Sequence, residues 1–381
     1  MKKSVKVLFI HDSAYPLFPG GDKDSRYGGA EIQLYSLANE LAKSEALEVS
    51  WLFLRKSKKE IAKISHPRIK IRAKTPAIRR GVPLLSRVIN NFRNVRPYVG
   101  YAPDIIVATT GFGAIHLERE SKIVQAKTLF RVASDSDLTK PRASSKELAD
   151  EILAAIPLAD HVVAVTQDQI NSLSKIRSGP ATLIPKYIDF LDVPATQSPK
   201  EKVLWIGTSR AVKQPWYFIE LAAQFPGEQF VMIMPTVTEG IKYNMDILAS
   251  RIDNLEYITT HRPKEEIYRH FSEAKLLVST SIVESMPNVF LEACSASVPI
   301  LSLSVNPDDF INRYKLGGCA DGSFLKFTQL FQDLISDEEE LSAMGKRAKS
   351  YIVQNHIPKD VISKWESLLI SIAQEDELLQ E

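Results

Sequence analysis

Cysteine is scarce in this chain. Two cysteines, Cys294 and Cys319, in 381 residues make neither a disulfide framework nor the ligand spacing of a metal site. Cys294 stands among Ala293, Ser295 and Ala296 and reads as a small core residue. Long apolar runs are also missing, and without about 18 such residues in a row no transmembrane helix is expected. The start, MKKSVKVLFIHDSAY, is basic like a signal peptide, but its apolar run VKVLFI is too short for one and His11-Asp12 ends it. It reads as the first strand of a cytoplasmic protein. A dominant charge is lacking as well: 48 Lys and Arg face 46 Asp and Glu, for a net +2. That balance argues against a general polyanion binder. With no nucleic-acid module and few interleaved aromatics, nucleic acid is not an expected partner. There is no short repeat and no low-complexity tract.

What charge there is lies unevenly. Residues 55–100 hold fourteen Lys or Arg and one acid, Glu60, while the tail carries Glu375, Asp376, Glu377 and Glu381. Within the basic segment Leu84, Leu85, Val88, Ile89, Phe92 and Val95 form a helical stripe beside Arg80, Arg87, Arg93 and Arg96. Such a stripe fits a helix packed on a sheet with a basic outer face. It equally fits an interfacial helix in peripheral contact with an anionic membrane.

Short β-branched runs alternate with amphipathic segments of helix length. VKVLFIHD, LEVSWLFL, IKIRA, DIIVATT, KTLFRVAS, HVVAVT and ATLIPKY read as buried strands, in the manner of a parallel sheet. IQLYSLANELAK and KELADEILAAIPLA read as helices. The pattern pauses at DVPATQSPKEK and restarts with the strands VLWIGT, QFVMIMPT, LEYITTH, KLLVSTS and PILSLSV. PWYFIELAAQF, IKYNMDILASRI, KEEIYRHFSEA and NVFLEACSA are the intervening helices, and LSAMGKRAKSYIVQ and KDVISKWESLLISIAQ close the chain. The expected fold is α/β, with two Rossmann-like, doubly wound domains facing a central cleft. The boundaries expected are 1–196, 197–355, and a helix at 356–381 crossing back to the first domain.

One stretch carries chemistry. In STSIVESMPNVFLEACSASVPIL, Glu284 follows a strand and Glu292 lies eight residues on, with Pro287 and Asn288 between them. Ser285 is expected as N-cap, with Pro287 in the first turn. A helix start at the carboxyl end of a strand is an anion site suited to a pyrophosphate. Glu284 and Glu292 then flank the anion and accept from hydroxyls on either side, as a sugar–pyrophosphate–ribose ligand requires. The plain alternative is a solvated helix face.

The stretch ESMPNVFLEACSASVPIL resembles the Glu-x7-Glu motif of retaining GT-B glycosyltransferases, specifically glycosyltransferase family 4 (group 1). YGGAEIQLYSLANELAKSEALEVSWL is similar to that family's opening loop and first helix, with Gly28 and Gly29 free to approach a phosphate. VLWIGTSRAVKQPWYFIELAAQF resembles its cationic loop, where Lys213 holds the place of the lysine on the donor pyrophosphate. Thr208 stands where the family commonly has arginine, and Arg210 follows two residues on. Ser134 and Asp135 fall near the family's frequent His-Asp, on the acceptor side. SVNPDDF stands where the family has a glycine pair, and Pro185-Lys186-Tyr187 in place of Pro-Asn-Gly.

The resemblance implies transfer of a hexose-type sugar from a nucleotide-sugar, with retention, to a hydroxyl of a glycan or lipid-linked acceptor. Surface polysaccharide or glycolipid synthesis at the inner face of the cell membrane is the implied setting. No cofactor and no bound metal are implied, since the nucleotide-sugar is a substrate. Lys213, Arg210 and Glu284 take the catalytic roles. Gly28, Gly29, Thr208, His261, Arg262, Ser285, Asn288, Val289 and Glu292 bind the donor, His261 and Arg262 near the nucleobase. Two alternatives stand beside this reading: transfer to a soluble sugar acceptor, and a catalytically weak sugar-nucleotide-binding partner protein.

Overall fold

A computed structural model describes residues 4–22, 28–74, 101–139, 145–188, 200–235, 238–260 and 262–378. The chain divides into two compact units, Met1–Lys186 with Lys359–Glu381, and Tyr187–Pro358.

The first unit is built on seven parallel strands: β1 Val5–Ile10, β2 Leu47–Phe53, β3 Lys70–Ala73, β4 Ile105–Thr109, β5 Lys127–Arg131, β6 His161–Ala164 and β7 Ala181–Leu183. Their order is β3-β2-β1-β4-β5-β6-β7. Val7 registers with Val49 on one side and Ile105 on the other. These strands are apolar on both faces because helices cover both. Helix Gly29–Leu41 buries Leu34, Leu37, Ala38 and Leu41. Helix Lys146–Ala155 starts at Ser145, whose hydroxyl accepts from the Leu148 N–H. Phe9 stacks on Trp51 with ring centroids 5.8 Å apart, and Phe18 meets Trp51 edge-on. The last helix, Pro358–Leu378, buries Val361, Trp365, Leu369 and Ile372. Its Glu366 accepts from Ser44 at 2.7 Å, tying it to this unit.

The second unit has six parallel strands: β8 Lys202–Ile206, β9 Gln229–Ile233, β10 Leu255–Ile258, β11 Ala274–Ser279, β12 Ile300–Ser302 and β13 Gly317–Cys319. Their order is β10-β9-β8-β11-β12-β13. Trp205, Phe218, Phe230, Phe327 and Phe331 fill its core. Strand β13 and helix Phe324–Ser336 are among the elements that were not expected. Strand β13 is Gly-Gly-Cys, with no β-branched residue to mark it. Helix Phe324–Ser336 starts at Ser323, whose hydroxyl accepts from the Lys326 N–H. The helix expected at 241–252 spans Glu239–Ala249.

Each unit thus consists of a parallel sheet wound in both directions from its first strand. The order reverses between β1 and β4 in one unit and between β8 and β11 in the other. Chains leaving adjacent strands to opposite faces open a crevice at that point, where ligands of such sheets bind. Much of the expected linker, the stripe at 84–95 and His261 lie outside the described residues. Among the described residues no helix is long and apolar enough to cross a membrane.

Candidate active site

The sequence leaves β8 through Gly207, Thr208 and Ser209 into a tight turn, Ala211–Lys213. Gln214 follows in the left-handed region (φ 44°, ψ 53°) and Pro215 opens helix Pro215–Gln224. Glycine is required at 207, where a Cβ would lie 2.7 Å from the Trp205 ring. Leaving β11, the neighbouring strand, the chain runs Thr280-Ser281-Ile282-Val283-Glu284 and reaches helix Asn288–Ser295. These two exits flank the switch point, and their side chains meet there.

Lys213 Nζ forms an ion pair and hydrogen bond with Glu284 Oε1. Ser281 Oγ donates to the same oxygen at 3.3 Å. The backbones are tied too: Ile282 N–H donates to the Val212 carbonyl at 2.9 Å and Thr280 Oγ1 to the Lys213 carbonyl at 2.6 Å. The two charged side chains keep 21% and 25% of their surface, so a solute can reach them. Arg210, in the same loop, is exposed and has no ion pair among the described residues.

The helix start differs from the expected one. Ser285 is buried and is not the N-cap; Pro287 is, with extended backbone (ψ 133°), and the helix begins at Asn288. The cause is steric, because a residue preceding proline is excluded from the helical region. With Ser285 as cap, Met286 would be the first helical residue and would sit directly before Pro287. Asn288 and Val289 therefore form the first turn. Glu292 lies one turn beyond Asn288 on the same face, half-buried. Thr208 is half-buried and its carbonyl accepts from the Arg210 N–H at 2.7 Å. Arg262, four residues past β10, pairs with Glu266 at 3.4 Å.

The remaining expected residues belong to the first unit. Gly28 caps helix Gly29–Leu41, and its N–H donates to Glu31 Oε2 at 2.9 Å. Ser134 and Asp135 follow β5, where Ser134 N–H donates to Asp137 and Asp135 accepts from Gln169 at 2.8 Å. His11 directly follows β1. Neither of its ring nitrogens has a hydrogen-bond partner among the described residues, and Nε2 stands 3.9 Å from Glu31. Burial pushes its pKa down against the opposing pull of Glu31 and Asp12. Among the described residues no group of three or more His, Cys, Asp or Glu is placed to hold a metal ion.

Sequence reasoning singled out Lys213 and Glu284 but missed Thr280 and Ser281, which hold them. Hydroxyls in a strand exit look like ordinary loop residues, and their partners lie far off in sequence.

Comparison with known proteins adds to this geometry. The family Glycosyl transferases group 1 matches residues 191–351. No curated protein matches the chain by sequence. Among solved structures, sucrose-phosphate synthase from Thermosynechococcus elongatus superposes with a TM-score of 0.77 at 15% identity, covering 97% of this chain and 99% of that one. HepE of Anabaena in complex with UDP gives a TM-score of 0.75 at 14% identity, over 96% of this chain and 100% of that one. TarM of S. aureus, in complex with fondaparinux, alpha-GlcNAc-glycerol and UDP, gives 0.72 at 12%, over 96% and 99%. The chain has the GT-B fold, and residues 191–351 within it match the group 1 glycosyl transferases.

Proposed function

We propose that the protein is a retaining glycosyltransferase. It moves a hexose-type sugar from a nucleotide-sugar to a hydroxyl of a glycan or lipid-linked acceptor, in the synthesis of a surface polysaccharide or glycolipid. The observation that carries this reading is the Lys213–Glu284 pair at the switch point of the second sheet, within the stretch matched by the group 1 family. The UDP held by HepE and by TarM supports a nucleotide donor.

Glu284 neutralises Lys213. An arriving diphosphate carries more charge than one carboxylate and takes the lysine over. Arg210 and the start of helix Asn288–Ser295 add positive potential. The bond from the anomeric carbon to the diphosphate oxygen then breaks, its electron pair passing to the diphosphate. Lys213 stabilises the charge that develops there. The acceptor oxygen bonds to the same face of the sugar, and its proton passes to the departing diphosphate oxygen. Glu284, released from Lys213, holds hydroxyls of the transferred sugar and offsets the positive character of its ring. Glu292 takes the ribose hydroxyls.

The test is a panel of UDP-, GDP- and ADP-sugars. A donor that binds the native state raises the thermal midpoint. With that donor and a hydroxylated acceptor, the product anomer is then read by NMR. A retained anomer is expected, and an inverted one overturns the mechanism. Binding with neither transfer to an acceptor nor hydrolysis of the donor moves the reading to a sugar-nucleotide-binding partner.

A further inference from the structure

Thr280 is fully buried, yet its hydroxyl makes two hydrogen bonds across the switch point. It accepts from the indole Nε1 of Trp205 at 3.0 Å and donates to the carbonyl of Lys213 at 2.6 Å. The direction of this relay is fixed by chemistry. An indole N–H only donates and a carbonyl only accepts, so the hydroxyl proton is committed to Lys213. Trp205 is itself buried, 2% exposed within the core of the second unit. Its ring passes over residue 207 so closely that only glycine fits there.

The turn Ala211–Lys213 would otherwise be weakly anchored. It is three residues long and ends in a left-handed Gln214. Its own hydrogen bonds, Lys213 N–H to Arg210 and Gln214 N–H to Ala211, are local and do not fix it to the sheet. The tether from β11 to the Lys213 carbonyl is Thr280, and Ile282 adds the bond to Val212.

We infer that Thr280, held by Trp205, is a positioning residue that sets where the Lys213 ammonium stands at the donor site. The assignment rests on the reading of Lys213 as the group that receives the diphosphate. Nothing in it requires Thr280 to touch the ligand. A preorganised cation is worth more to a developing charge than a mobile one, because no reorganisation is needed when the charge appears.

Two measurements on the intact protein test this. The first uses no ligand: hydrogen exchange over residues 208–216. Thr280→Val keeps the shape of the side chain and removes both hydrogen bonds. It should speed exchange of this segment while helix Asn288–Ser295 stays protected, and Thr280→Ser should restore the slow rate. Unchanged exchange in Thr280→Val overturns the inference whatever the nucleotides do. The second is calorimetric titration with UDP, GDP and ADP, followed by a double-mutant cycle with the nucleotide that binds. Thr280→Val should weaken binding about tenfold, and less than about twofold in a Lys213→Met background, since the residue acts through that lysine. Equal weakening in both backgrounds means a merely structural role and overturns the inference. If none of the three nucleotides binds the unaltered protein, the donor reading fails, and with it the lysine's role, while the exchange result still decides the anchor.

Discussion

At the scale of single residues, the pairing of Lys213 with Glu284 makes opposite predictions for its two halves. Glu284→Gln leaves the lysine without its internal anion. Nucleoside diphosphate should bind at least as well as before while turnover falls steeply, because the transferred sugar has lost its carboxylate. Lys213→Ala removes the cation facing the leaving group, and loss of such a donor costs about 3 kcal/mol, or about a hundredfold in kcat. Glu292→Ala should act mainly on nucleotide affinity. Steady-state kinetics beside calorimetric binding separates the three, and wild-type kinetics in both glutamate variants would remove the site assignment. A second residue speaks to pH. His270 is 3% exposed, and neither ring nitrogen has a hydrogen-bond partner among the described residues. Burial lowers its pKa from 6.5, outweighing Glu256 and Glu273, which pull the other way, while Arg269 and Lys202 reinforce it. As pH falls through the ordinary histidine value, the unfolded chain takes up a proton that the folded chain resists. Stability is then flat above that value and declines below it, until the folded-state pKa is passed. Urea midpoints measured from about pH 7 to about pH 5 should fall, and His270→Leu should flatten part of that slope. Parallel slopes in the two proteins would show that His270 contributes nothing to it.

At the scale of elements, the strands were legible because a strand buried on both faces needs an unbroken apolar, β-branched run. Residues 7–10, 105–108 and 276–278 are such runs within their strands. Gly317–Cys319 has none, and its pairing to β12 comes from the shape of the chain around it. Gly317, at φ 148°, has room only for hydrogen, because a Cβ would lie 1.9 Å from the Ile300 carbonyl oxygen. The start of helix Asn288–Ser295 shows a local rule misapplied, since a serine three residues before an asparagine suggests a cap until the steric effect of Pro287 is counted. Lys213 and Glu284 were legible as motif residues, and their contact follows from β8 and β11 being neighbours. Thr280 was not, because its two partners stand 75 and 67 residues away. Gly207 joins both kinds of information: it marks the end of a strand, and it also makes space for Trp205. Gly207→Ala would drive a methyl group into that indole, and overpacking of this kind costs about 1–3 kcal/mol. The unfolding free energy read from urea titration should fall by that amount, with nucleotide affinity falling alongside it as Trp205 shifts against Thr280. An alanine variant of full stability and affinity would mean that the ring is free to move aside.

At the scale of the whole molecule, near-neutrality conceals a strong local charge. Residues 55–100 carry fourteen cations, and part of that charge is already answered within the first unit. Lys70 pairs with Glu48 at 2.8 Å and Lys74 with Glu120 at 2.5 Å, and Arg72 lies over the ring of Tyr101. Lys58, Lys59, Lys63 and Arg68 are exposed and have no ion pair among the described residues. Arg87, Arg93 and Arg96, which alternate in the sequence with Leu84, Val88 and Phe92, lie outside the described residues. Each cation near an anionic bilayer contributes about 1 kcal/mol, screened over about 8 Å at physiological salt. Three such residues together with an inserted apolar edge give reversible binding, which one charge alone does not. Sedimentation with vesicles of phosphatidylserine and phosphatidylcholine should carry the protein down at low salt and release it as salt rises. Replacing Arg87, Arg93 and Arg96 by glutamine should abolish most of that binding. Binding to vesicles of phosphatidylcholine alone should stay as weak as before. Nucleotide affinity should be untouched, because Lys213 and Glu284 belong to the second unit. A protein that ignores anionic vesicles even at low salt has its acceptor in solution, and transfer to a soluble sugar then becomes the reaction to assay.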